Sequence, residues 1–123
     1  MDSFIKDERL NNKIEIKELF SQGKSISINP FQLLWKTNNN TKNHFQVLIS
    51  VPKRNINLAT ERNFLRRKIK ESFRLNKKKL YKKLNEKAVY INIAIIYQKR
   101  EIHSYKIIEE KINLLLTHLI KQL

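Results

Sequence analysis

The chain has 123 residues, with 26 Lys plus Arg against 11 Asp plus Glu and no cysteine. That length suits one domain with one core, and the formal charge of +15 calls for a polyanionic partner, nucleic acid ahead of an anionic membrane. The lack of cysteine excludes a disulfide framework, a thiol nucleophile and a thiolate metal site, and suits the cytoplasm.

In chain order, residues 1–11 read as a flexible lead-in with a small apolar anchor at Phe4, Ile5 and Leu10. They lack the basic-then-apolar pattern of a signal peptide. A first helix is expected over residues 13–22, capped by Asn12, with Glu15 placed to complete a capping-box-like pair. Ile16, Leu19 and Phe20 give it an apolar face. Gly23, the single glycine, stands where a left-handed helix stop would need one.

Residues 25–36 read as one strand. Ile26 and Ile28 alternate with serines, and Phe31, Leu33 and Trp35 resume the alternation past Pro30, where a bulge or an edge position is expected. Residues 38–41 form a turn by composition. Phe45, Val47, Ile49 and Val51 alternate on a second strand, expected to pair with the first as an antiparallel hairpin.

After a basic loop comes ATERNFLRRKIKESFR, residues 59–74, free of Pro and Gly. At about 100° per residue, Arg62, Asn63, Arg66, Arg67, Lys70 and Arg74 share one arc, and Leu58, Leu65, Ile69 and Phe73 share another. One stripe is suited to burial and its neighbour to anions. Half of the basic residues are Lys53, Arg54 and the eleven between Arg62 and Lys83, and only Glu71 opposes them in that second span. Residues 77–83 can form a short helical turn through Leu80, Tyr81 and Leu84. AVYINIAIIY, residues 88–97, reads as a central strand covered on both faces. A last helix begins near Ser104 and buries Tyr105, Ile108, Ile112, Leu115, Leu116 and Leu119.

These elements predict a single α+β domain over residues 1–123, a two-layer sandwich with helices on one side of a small sheet. The expected order is helix, hairpin, helix, strand, helix.

Enzyme constellations are lacking. His44, His103 and His118 are scattered and share no metal-ligand spacing. No pair of carboxylates has a defined spacing, and one glycine cannot make a phosphate-binding loop. No catalytic or metal-ligating residue is assigned. The basic arc is different. Arginine's planar fork suits phosphate, and Asn63 among the cations can reach a sugar or base edge. Nucleic-acid binding is the reading that follows, with a stand-alone nuclease and a ribosomal or other structural RNA-binding protein as alternatives. Ile16, Phe20, Phe31 and Trp35 read as core by default, or as a platform on which unpaired bases stack.

The stretch R-N-x-x-x-R-x-x-K-E-x-F-R, Arg62 to Arg74, resembles the signature helix of the bacterial ribonuclease P protein family. ERLNNKIEIKELFSQGKSI and SVPKR upstream resemble that family's opening and its strand end. The resemblance implies a subunit that binds a catalytic RNA, ribonuclease P RNA. That RNA, with Mg²⁺ ions held mainly by it, cleaves precursor tRNA to the mature 5′ end. No protein partner and no membrane are implied. It further implies RNA contacts from Lys53, Arg54, Arg62, Asn63, Arg66, Arg67, Lys70 and Arg74. Ile16, Phe20, Phe31 and Trp35 would fall in a cleft for the 5′ leader of the precursor. It also implies a left-handed β-α-β crossover, against the general rule. Phe64 stands where the family commonly has a basic residue, and Ile16 where an aromatic is frequent.

Overall fold

The computed structural model describes residues 8–38 and 44–123. The first helix, α1, is Lys13–Gln22. Asn12 caps it, its side-chain oxygen accepting from Ile14 N and Glu15 N at 3.0 Å each. Glu15 does not close a capping box. Its carboxylate accepts instead from Asn38 Nδ2 at 2.8 Å, tying α1 to the sheet. Gly23 follows the helix, but with φ −68° and ψ 151° it is extended, not left-handed. Glycine is needed there for closeness. A Cβ would collide with the Leu19 carbonyl oxygen and sit 3.0 Å from Leu19 Cδ1 and 3.3 Å from the Trp35 carbonyl oxygen. Gly23→Ala is therefore expected to cost about 1–3 kcal/mol of stability, as overpacked sites do. Urea denaturation would measure it, and an unchanged midpoint would refute it.

The expected first strand is two strands. β1, Lys24–Ile28, and β2, Phe31–Thr37, pair antiparallel with Ile28 opposite Phe31. Only Asn29 and Pro30 lie between them, joined by a cis peptide bond. Pro30 thus marks a reversal and not a bulge. Both halves keep their apolar side chains on one face, so the alternation survives the turn.

β3, Phe45–Ser50, does not pair with β2. β4, Ile91–Tyr97, lies between them, antiparallel to β2 and parallel to β3, giving the order β1-β2-β4-β3. The reason is burial. All seven residues of β4 are buried, so it takes a central place. The connection from β2 to β3 has to span roughly 10 Å to step over one strand. Its two ends are pinned to the start of β4 by Asn38 N to Tyr90 O at 2.8 Å and Ile91 N to His44 O at 3.0 Å. Of the turn expected at residues 38–41, all but Asn38 lies outside the described residues, as do Phe4 and Ile5.

The described part of the lead-in is docked. Arg9 bridges to Val47, and Leu10 N donates to Val47 O at 3.0 Å. Glu8 is buried and pairs with Lys77 at 3.0 Å. This segment covers the outer edge of β3, which would otherwise offer unpaired backbone groups.

The basic helix, α2, is Ala59–Lys87, far longer than the residues 59–74 expected for it. The lysine-rich continuation stays helical because Leu80 and Leu84 extend the stripe of Leu65, Ile69 and Phe73, and all five are fully buried. Leu58 was expected on that stripe but is the N-cap residue and is 58% exposed. The helix ends at Ala88, which adopts the left-handed conformation at φ 53°. α3, Tyr105–Gln122, starts as expected after Ser104, whose Oγ accepts from Ile107 N.

The sheet has two covered faces. Leu33, Trp35, Val47, Ile93 and Ile95 point to α2 and α3 and form the main core. Leu34, Ala94 and Ile96 point the other way and meet Leu10 and Leu19 under α1. Helices therefore lie on both sides, with α1 alone on its own face. The result is an α+β fold with a small mixed sheet packed by helices. The hand of the β3-α2-β4 crossover follows from chirality. Val47 turns its carbonyl outward to Leu10 and its side chain toward α2. In an L-residue of an extended strand, that combination puts β4 on the left when β3 is viewed from its start with α2 above. The crossover is left-handed, against the usual rule.

Candidate nucleic-acid interface

α2 brings its expected cations together on an arc beside its buried stripe. Asn63 and Arg67 are exposed, while Arg62, Arg66, Lys70 and Arg74 are half-buried. Several are held in place. Arg66 Nη1 donates to Asn63 Oδ1 at 2.7 Å. Arg74 donates through Nε to Glu71 at 3.0 Å and through Nη2 to the other carboxylate oxygen. That hydrogen bond from Arg74, with the charges of Arg74 and Lys68, holds the Glu71 carboxyl below its usual range. Glu71 therefore stays ionised and fixes Arg74. The pairing leaves the arc strongly positive.

Arg62 has a different job. Its Nη1 donates to the carbonyls of Ile56 at 3.1 Å and Asn57 at 2.7 Å. It clamps the loop before α2, whose N-cap residue Leu58 has no side chain able to do so. The loop is fastened elsewhere too. Asn55 Nδ2 donates to Tyr97 O at 3.1 Å, and Ile56 is buried. Lys53 and Arg54 are exposed on the turn formed as Asn55 N and Ile56 N both donate to Pro52 O at 3.1 Å. Loop and helix start are thus one rigid piece that carries every predicted RNA-facing cation. Arg62→Ala is expected to lower stability by about 1–3 kcal/mol, chiefly through the part-buried Ile56 carbonyl left unpaired, as well as weakening RNA binding. Thermal melting separates it from Arg67→Ala, which should leave the melting curve in place. Identical melts for the two variants would contradict the clamp.

Arg62 closes the first turn of α2, where the helix dipole disfavours cations. Glu61 is the one acid in the first turn. Like charges at four-residue steps add to the cost. Phosphate relieves both.

The four residues expected in a leader cleft are not brought together. Ile16 and Phe20 lie on α1, where Phe20 is 49% exposed, and they line a groove of about 460 Å³ with Lys13, Lys17 and Ser21. Phe31 and Trp35 face the other way, into the main core. The Phe31 ring meets Tyr97 edge-on at 5.5 Å, and Trp35 Nε1 donates to Gln122 on α3 at 3.0 Å. Their default reading as core is what the structure shows. On α1's face the sheet instead offers a polar ladder that sequence reading missed. Gln98 Nε2 donates to Gln32 Oε1, and Gln32 Nε2 to Ser25 Oγ, each at 3.0 Å. The missed signal was parity. Gln32 alternates with Phe31 and Leu33, so burying those two turns it to the opposite face.

Among the described residues no three His, Asp or Glu side chains are grouped as metal ligands. His44 stacks on Tyr90 at 5.2 Å and meets Tyr81 edge-on, while His103 packs against Tyr97. No helix is long and apolar enough to cross a membrane among the described residues.

Comparison with known proteins agrees with this geometry. The sequence model of the family described as Ribonuclease P matches residues 4–120. The ribonuclease P protein component of Porphyromonas gingivalis is 30% identical over 105 residues, 85% of this chain and 77% of that protein. That of Chlorobium phaeobacteroides is 28% identical over 94% of this chain and 87% of its own length. The RNase P protein of Thermotoga maritima superposes with a TM-score of 0.69 at 26% identity, covering 90% of this chain and 96% of that one. A Staphylococcus aureus RNase P protein mutant shares the fold, with a TM-score of 0.75 at 20% identity over 93% and 89% of the two chains. The chain belongs to the ribonuclease P protein family, the RNA-binding protein subunit of the ribonucleoprotein that matures the 5′ ends of tRNAs.

Proposed function

We propose that the face of α2 bearing Asn63, Arg66, Arg67, Lys70 and Arg74, with Lys53 and Arg54 beside it, grips the catalytic RNA of ribonuclease P. The groove along α1 takes the 5′ leader of precursor tRNA. The observation that supports this most is the basic arc held on a helix whose neighbouring stripe is core. Guanidinium N–H groups donate in pairs to phosphate oxygens, and each phosphate so neutralised releases counterions. On α1, Ile16 and Phe20 offer stacking surface, Lys13 and Lys17 offer charge, and Gln32 and Gln98 on the same sheet face can bond base edges.

The bond-breaking chemistry belongs to the RNA, whose Mg²⁺ ions it mainly holds. No step is assigned to a metal on the protein, because the described residues form no ligand group for one. The protein's part is to supply fixed positive charge where folded RNA strands and the leader crowd together, so that less Mg²⁺ is required for cleavage.

Reconstitution tests this. Adding the protein to ribonuclease P RNA should raise cleavage of a precursor tRNA at low Mg²⁺. Without the RNA no cleavage is expected. A protein that binds the RNA but gives no gain in cleavage would be a structural RNA binder instead. Phe20→Ala should weaken binding of precursor with a leader while leaving mature tRNA binding unchanged. Equal effects on both would remove the leader from the α1 groove.

A further inference from the structure

Phe73 is fully buried, yet Phe64, nine residues earlier on the same helix, is 42% exposed. It lies beyond Arg67, on the flank of the basic arc that faces the start of α3. The Lys68 ammonium lies 5.0 Å from the Phe64 ring centroid and 5.1 Å from that of Tyr105, the first residue of α3. Phe64, Arg67, Lys68, Glu71 and Tyr105 enclose an open concavity of about 420 Å³. Tyr105 is fixed in it by its hydroxyl, 3.4 Å from Glu109 Oε2.

Each part has a reason to bind something. An exposed phenyl ring leaves apolar surface in water, and α2 and α3 are already joined elsewhere through Leu80, Leu84, Ile108 and Ile112. Arg67 and Lys68 stand at the rim with charge to spare, because the carboxylate of Glu71 is held by Arg74. Aromatic wall plus cationic rim is the chemistry of a nucleotide: a flat base to stack and a phosphate to pair. The volume falls within the range of small-ligand pockets. Arg67 belongs both to this concavity and to the α2 arc. The α1 groove is on the far side of the sheet. The occupant is therefore part of the RNA that α2 holds and not the leader.

We propose that an unpaired base of the catalytic RNA stacks on Phe64, with Tyr105 as the facing wall and the base's phosphate between Arg67 and Lys68. Lys68, placed by the two rings, meets that phosphate from a preset position. This rests on the reading of α2 as the grip on ribonuclease P RNA, and adds a stacking contact to one otherwise made of charges. A helix carrying only cations would hold any phosphate backbone. A base slot beside it favours RNA with an unpaired nucleotide at the right distance.

The test compares full-length variants bound to ribonuclease P RNA over a salt series. Phe64→Leu keeps the apolar volume and removes the ring. It should weaken binding about 5- to 150-fold, the equivalent of one lost base stack, with the salt slope unchanged. Phe64→Trp should bind as well as the native protein. Chemical probing of the complex should show one unpaired base protected by the native protein and exposed again with Phe64→Leu. Unchanged affinity in Phe64→Leu would overturn the proposal. So would equal losses in the Leu and Trp variants, or protection limited to paired nucleotides. If Phe64→Leu instead abolishes a self-association seen by sedimentation and leaves RNA affinity intact, the slot is a contact between copies and the proposal fails. Failure of the underlying reading is seen separately, as native protein that does not bind the RNA. Thermal melting of Phe64→Leu should match the native curve, which removes misfolding as the cause.

Discussion

Changing Arg66, Arg67 and Lys70 together to alanine is expected to flatten the salt dependence of RNA binding by about two to three units of log-log slope, somewhat under one per lost phosphate contact. Because purely electrostatic contacts fade toward 1 M salt, that slope change corresponds to a roughly 100- to 1000-fold loss of affinity near 0.1 M. Folding should not suffer. The variant removes like charges at three- and four-residue steps, so the helix itself should gain a few tenths of a kcal/mol. Filter binding across a salt series, alongside a thermal melt, reads both quantities. A large loss of affinity with an unchanged slope would mean that these side chains do not meet phosphate. An unchanged affinity would place the RNA on another face.

Phe73→Ala is expected to do the reverse. Phe73 is fully buried, and its ring meets that of Phe45 edge-on at 5.5 Å, joining α2 to β3. Truncation should cost about 3–5 kcal/mol, a fifth or more of the roughly 5–15 kcal/mol that domains usually have. Ile69→Ala, one turn earlier and equally buried, should cost about 2–5 kcal/mol. Urea denaturation measures both, and RNA affinity scaled to the folded fraction should stay native. If instead these variants fold normally and lose RNA binding, the helix presents its other side to the RNA and the arc assigned above is core. The two experiments bracket α2: one arc should change binding without stability, the other stability without binding.

The sequence reading succeeded where the signal is local. Asn12 and Gly23 bound α1, Ser104 opens α3, and the unbroken apolar run identifies β4 as central. It failed where the deciding contact is distant. Nothing near β3 says that β4 will lie between it and β2, because that pairing joins residues more than forty positions apart, such as Phe45 and Ile91. The short turn at Asn29 and Pro30 was missed because the one-residue shift of the apolar alternation there, from Ile28 to Phe31, reads equally well as a bulge. α2 was cut short because lysine density hid Leu80 and Leu84, which only the neighbouring α3 makes into core. For the site, the arc of cations follows from helical spacing alone, so its members were found. That Arg62 serves the loop was invisible, since its partners are backbone carbonyls. Phe31 and Trp35 show the limit of parity. Alternation says that they share a side but cannot say which helix covers it.

The length of α2 has one more consequence. It runs unbroken for 29 residues, roughly 43 Å at the usual rise, and is packed along its length. Its cations therefore keep fixed separations whether or not RNA is present. Gathering them is disfavoured by mutual repulsion and by the entropy of ordering long side chains, and that penalty is met once, by burial of Leu65, Ile69, Phe73, Leu80 and Leu84. Association does not have to meet it again. A disordered basic arm of the same composition would have to order itself each time it bound. The helix instead acts as a ruler whose marks are charges, and it is the RNA that has to fit the spacing.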